Sequence, residues 1–136
     1  MMSCSRFWQK WVAGTLVLAG LGTGQGMVWA QAWTRLGETD QVALFVNRNS
    51  IEKEGNLRRV WEMQDLKQPD QDGVQSRRYM NEYDCQHKMY RISQMTSFEG
   101  PQLSGRKLFE VKEAGYWRKI PPNGLFTLGY IAHCIP

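Results

Sequence analysis

The chain has 136 residues and a formal net charge of +4, a length that suits one domain rather than two. Two of its 17 basic residues, Arg6 and Lys10, stand in an N-terminal stretch without any acid, which leaves 15 basic against 13 acidic residues downstream. That near balance excludes the strongly basic face expected of a nucleic-acid-binding domain.

The N-terminus has the three parts of an export signal. Arg6 and Lys10 form a positive region, residues 12–21 are apolar apart from Gly and Thr, and Val28-Trp29-Ala30 ends on a small residue, as a signal peptidase requires. Residues 1–30 are therefore predicted to be a cleavable signal peptide, with Gln31 first in the mature chain. A spanning helix needs about 20 mostly apolar residues, and Gly20, Gly22, Gly24 and Gly26 dilute this stretch, so no membrane span is expected in the mature form. Cys4 precedes the apolar run and no cysteine follows it directly, so no lipid anchor is evident. The destination expected is the periplasm, the medium or the cell surface.

Residues 31–136 are predicted to form a single domain. Two of the three cysteines remain there, Cys85 and Cys134. In an oxidising compartment they are expected to pair.

The periodicity that follows is that of strands. Val42, Leu44 and Val46 alternate with Ala43 and Phe45, and Asn47-Arg48-Asn49 supplies a turn. Residues 50–53 are expected to be a short second strand. In the third, residues 57–66, Leu57, Trp61 and Met63 share one face, whereas Arg58, Val60, Glu62 and Gln64 share the other, which is expected to be mostly wet. Residues 67–74 read as an exposed hairpin loop. A fourth strand at 75–85 carries Tyr79, Tyr83 and Cys85 on one side and Met80, Glu82 and Asp84 on the other. Gln86-His87 is short enough for a tight hairpin into a fifth strand at 88–98, with Tyr90, Ile92 and Phe98 on a shared face. Residues 106–113 make a sixth.

After Pro121-Pro122 the period changes. Leu125, Leu128, Ile131 and Ala132, with Phe126 and Tyr130, recur at three and four, the spacing of an amphipathic helix. Asn123 is the expected N-cap, and Cys134 would fasten the helix to the sheet at Cys85. The fold class predicted is α+β, mainly β: an antiparallel sheet of about six strands with a C-terminal helix tied to it by a disulfide.

No motif for catalysis, cofactor or phosphate binding is present, so neither an enzyme nor a cofactor is expected. Asp84, His87 and His133 lie near the two cysteines and could be drawn as a metal site, but oxidised thiols are not ligands. Glu82 and Asp84 could be drawn as paired carboxylates of a hydrolase, although any solvent-facing strand shows the same pattern. Four dibasic pairs, Arg58-Arg59, Arg77-Arg78, Arg106-Lys107 and Arg118-Lys119, alternate across faces. One member from each neighbouring strand would line a basic stripe for sulfated glycans or acidic protein segments, which makes Arg58, Arg59, Arg77 and Arg78 the candidate partner-binding residues.

In order along the chain, Phe45-Val46-Asn47 with Ser50-Ile51, Leu57-Arg58-Arg59-Val60-Trp61, Glu82-Tyr83-Asp84-Cys85, Tyr90-Arg91, Trp117 with Pro121-Pro122, and Cys134 resemble the bacterial surface-adhesin protein E family. The resemblance implies an antiparallel sheet of about six strands, a C-terminal helix fastened by the disulfide, and binding of extracellular matrix or serum proteins of a host. A homodimer is a further assembly to be tested. The missing lipid-attachment cysteine departs from the surface-lipoprotein pattern and favours an alternative, a soluble periplasmic accessory or structural protein without an adhesive role.

Overall fold

The computed structural model describes residues 33–136, and the predicted signal peptide lies outside them. Eight strands and one helix follow in order: β1 (Thr34–Glu38), β2 (Val42–Val46), β3 (Glu52–Glu54), β4 (Leu57–Leu66), β5 (Ser76–Asp84), β6 (Met89–Phe98), β7 (Lys107–Val111), β8 (Arg118–Lys119) and α1 (Leu125–Cys134). All pairings are antiparallel, in the order β1-β2-β4-β5-β6-β7. The sheet is six strands wide because two lanes are shared. β2 pairs residues 62–66 of β4 and β3 pairs 57–59, while β7 pairs residues 95–98 of β6 and β8 pairs 89–90. The α+β, mainly β architecture expected from the sequence is the one observed.

Strand alternation gives the sheet two unlike faces. Cross-strand partners put Val46, Val60, Glu62, Tyr79, Asn81 and Tyr83 on one of them, and α1 lies over it. Leu44, Val46, Val60, Tyr79 and Tyr83 are buried there. This is the face whose Arg58, Val60, Glu62 and Gln64 pattern read as wet. The reversal has a physical cause in Glu62, which is wholly buried and receives one hydrogen-bond donor on each carboxylate oxygen. The Tyr83 hydroxyl donates to its Oε1 at 2.5 Å and Asn81 Nδ2 to its Oε2 at 3.2 Å, while His133 Nε2 of α1 stands 3.7 Å from Oε1. A carboxylate supplied in this way can be buried where an unpaired one could not.

The helix seats on this cluster through its smallest residue. Gly129 is its buried residue, and Phe126, Tyr130 and His133 flank it on the inward side. Phe126 stacks on Tyr90 with ring centroids 4.2 Å apart and meets Tyr79 edge-on at 6.3 Å. Tyr130 donates to the Cys85 carbonyl, and His133 packs on the Tyr83 ring. Leu128 and Ile131, expected to face inward, are exposed instead. A wide aliphatic ridge would stand off the buried polar groups, whereas glycine allows close approach. Gly124, not Asn123, occupies the N-cap position, without a side-chain cap bond. Cys134 closes the helix by its disulfide to Cys85 across a Cα separation of 5.3 Å.

Three further expectations are corrected. Residues 48–50 are a 3-10 turn, so the short strand begins only at Glu52. Val74, in the predicted exposed loop, is buried, because Asp70 Oδ1 accepts the amides of Asp72 and Val74 and folds the loop back. Between Met80 and Asn81 the register of β5 against β6 slips by one residue at Ser93. That bulge puts Phe98 on the opposite face from Tyr90 and Ile92.

Candidate functional site

Among the described residues the other face carries no α-helix. Alternation places Arg59, Trp61 and Met63 of β4, Arg78, Met80 and Glu82 of β5, and Arg91, Gln94 and Thr96 of β6 on it. One end is covered by a turn at residues 101–103, where the Gln102 amide donates to Asp65 Oδ1 and the Leu103 amide to Ser76 Oγ. Met63 is buried there. The opposite end is open.

At that open end Glu82 is only 6% exposed. Each of its carboxylate oxygens accepts one arginine Nε: Arg59 to Oε1 at 3.1 Å and Arg91 to Oε2 at 2.5 Å. Arg59 and Arg91 come from the strands on either side, because both pair opposite Glu82 in the register. Arg59 Nη1 also approaches Glu52 Oε2 at 3.7 Å, and the Arg91 guanidinium lies 4.7 Å from the centre of the Trp117 ring, within cation-π range. One buried carboxylate thus holds two planar cations in register, and one of them rests on an indole. Charge-assisted hydrogen bonds of this kind are about twice as strong as neutral ones.

Trp117 arrives on the loop between β7 and β8. The Gly115 amide donates to the Ile92 carbonyl at 2.9 Å, anchoring the loop beside the β6 bulge. The same loop presents Lys112 and the 88% exposed Tyr116. A cavity of about 420 Å³ is lined by Glu52, Arg59, Met80, Glu82, Gln94 and Lys112, among others. A second, of about 210 Å³, borders Arg59 and Glu82 on the β3 side, so these two residues border both recesses. On the helix face, beyond α1, a cavity of about 450 Å³ has Val42 and Leu66 beside Gln64, Lys67 and Arg77.

The dibasic pairs divide as alternation requires. Arg59 and Arg78 are on the open face, whereas Arg58 and Arg77 are on the helix face. Arg58 turns back on its own hairpin, donating to the Gly55 and Leu57 carbonyls, and Arg77 pairs with Asp70 at 3.2 Å. The four candidates therefore do not share one surface, and Arg59 is the one that joins the clamp. Arg91, Lys112, Tyr116 and Trp117 were not singled out as a group from the sequence. The signal for Arg91 is the β4-β5-β6 register, which brings Arg59 and Arg91 opposite Glu82; Lys112, Tyr116 and Trp117 lie on the β7-β8 loop, outside that register.

Asp84 has a local task. Its Oδ1 accepts the amides of Gln86 and His87, and its Oδ2 pairs with His87 Nδ1 at 2.8 Å. Burial works to raise its pKa, but the hydrogen bonds and charge of His87 outweigh this and hold the carboxyl below its usual range. Glu82 and Asp84 are thus each engaged with different partners. The histidines are also apart in role: His87 is exposed beside Asp84, and His133 is buried against Glu62.

The comparisons with known proteins bear on this arrangement. The family model described as Surface-adhesin protein E matches residues 33–134, from the start of β1 to the disulfide cysteine that ends α1. The chain belongs to the surface-adhesin protein E family. Solved structures of Haemophilus influenzae protein E share the fold at 12% identity over 76% of this chain. Crystal form II matches with a TM-score of 0.58 over 87% of its own length, and two further structures match at 0.54 over 84% and 0.53 over 76%, the last from a non-typeable strain. No curated protein sequence matches the chain. Membership in the surface-adhesin protein E family makes this an adhesin-like protein of the exported or cell-surface class. Among the described residues no helix is long and apolar enough to cross a membrane.

Proposed function

We propose that the chain is an exported, non-enzymatic binding module that engages an extracellular matrix, serum or other protein partner through the open face of its sheet, after removal of residues 1–30 as a signal peptide. The observation that carries this is the Arg59-Glu82-Arg91 clamp against Trp117, with Tyr116 standing free on the same loop. Arginine, tryptophan and tyrosine are the residue types that dominate binding hot spots, and here two arginines are already ordered before any partner arrives.

The test is retention of the purified protein on immobilised matrix and serum glycoproteins at physiological salt, beside Tyr116→Ala and Lys112→Glu variants. Retention that falls about tenfold in the variants, the size expected of a hot-spot residue, supports the reading. Absence of retention by the unaltered protein sinks it. A second reading, a periplasmic accessory protein without an adhesive role, draws on the position of Cys4 ahead of the apolar run. Cell fractionation with an intact-mass measurement separates the two, since it reports cleavage, lipidation and destination together.

A further inference from the structure

The cavity beside the clamp has a definite chemical character. Arg59 lines it with Lys112, Glu52 and Glu82; it gives Nε to Glu82 and its Nη1 stands 3.7 Å from Glu52 Oε2, and among the described residues no hydrogen bond joins its Nη atoms to protein. Its side chain is 45% exposed, so these donors are reachable, while Arg91 holds the other oxygen of Glu82 from outside the cavity lining. Lys112 borders the same cavity and has no carboxylate within ion-pair distance among the described residues. We infer that this cavity receives a carboxylate side chain from an acidic segment of a protein partner. The inference rests on the binding-module reading above and names the chemistry of its partner.

Two features favour a carboxylate. A guanidinium offers its donors in a planar fork that matches a carboxylate, so affinity comes with direction. Because Glu82 already fixes the Arg59 fork, little side-chain freedom remains to be lost on binding. A densely sulfated glycan fits less well. Glu52 and Glu82 line the cavity beside Arg59 and Lys112, so its two positive charges are matched by two negative ones and a polyanion meets repulsion as well as attraction. An acidic side chain brings a single charge.

The experiment is a nuclear magnetic resonance titration of the purified protein with a short glutamate-rich peptide, a matched glutamine-rich peptide and a heparin oligosaccharide. The acidic peptide is expected to shift the Arg59, Arg91 and Lys112 signals and the Trp117 indole N–H, and the glutamine peptide to leave them in place. Lys112→Glu should weaken binding about tenfold, as expected for removal and reversal of a close charge. Arg59→Lys keeps the charge and lacks the fork, so a comparable loss in this variant separates directed recognition from simple attraction. Unchanged binding by Arg59→Lys, equal binding of the glutamine peptide, shifts confined to another surface, or response to heparin alone would each overturn the inference. If glycoproteins are retained in a Tyr116-dependent manner while the acidic peptide moves nothing here, the carboxylate inference fails and the binding-module reading stands. If nothing is retained, that reading fails first.

Discussion

Gly129 of α1 lies so close to Tyr83 of β5 that a Cβ at this position would strike the tyrosine hydroxyl and come within 3.0 Å of Glu62 Oε1. Alanine is the better helix former by about 1 kcal/mol, yet Gly129→Ala is expected to destabilise the domain by about 1–3 kcal/mol, the usual cost of overpacking a core. Urea denaturation followed by tryptophan fluorescence measures it. A midpoint equal to or above that of the unaltered protein would show that the helix does not seat here.

The hydroxyl of Tyr83 is a donor that buried Glu62 needs. Tyr83→Phe removes it with little change of shape and should cost about 1–3 kcal/mol, the penalty for leaving a buried acceptor short of a partner. A variant as stable as the parent would mean that Glu62 is satisfied without it.

Burial first, and then the nearby Glu62 charge, push the phenols of Tyr79 and Tyr83 well above the usual range. A pKa raised on folding gives stability that is complete below the unfolded value, about 10 for tyrosine, and is lost as pH climbs past it. Alkaline titration should therefore show part of the tyrosinate absorbance delayed until near-ultraviolet circular dichroism collapses. Full ionisation of all tyrosines with the dichroism intact would contradict the burial of this pair.

Asp84 works in the opposite direction. Its lowered pKa supplies stability above the unfolded carboxylate value of about 3.9, and that stability is lost as pH falls through the folded value. Asp84→Ala should cost about 1 kcal/mol near neutrality, where Asp84 caps the hairpin. The gap between parent and variant should narrow in denaturation series carried below about pH 4.

The disulfide closes a loop between residues 49 apart in sequence. In the chain-entropy model its reduction should cost about 4 kcal/mol, a large part of the stability of a domain this size. Cys85→Ser with Cys134→Ser is expected to lower the urea midpoint accordingly, and an unchanged midpoint would show that the helix is held by packing alone.

How much of this was legible in the sequence varies by element. Strand β4, the β5-β6 hairpin, the C-terminal helix and the cysteine pair all carry local signals, namely period-two alternation, a short connection, period-three-and-four spacing and an even cysteine count. β1 and β8 carried none. Thr34–Glu38 has one aliphatic residue, and Arg118–Lys119 is a strand only because β6 has a vacant edge beside it. The inward face of β4 was misread because a glutamate counts as polar in any pattern, and only Tyr83, Asn81 and His133, from two other elements, make its burial tolerable. The clamp was hidden for a related reason. Glu82 and Arg91 are brought together by one hairpin, but Arg59 stands 23 residues before Glu82, and its joining them depends on the β4-β5 register across a long connection, which no single segment encodes.

The dibasic pair on β4 shows what the two-faced sheet makes available. Arg58 and Arg59 are neighbours in the chain, yet Arg58 lies on the face closed by the helix and Arg59 on the open one. Along each central strand, residues that keep the domain folded thus alternate with residues that meet the surroundings. Substitution at the outward positions near the clamp can alter what the surface recognises while the helix, the disulfide and the buried glutamate beneath it remain as they are, so the same scaffold can be turned toward a new partner one alternate residue at a time.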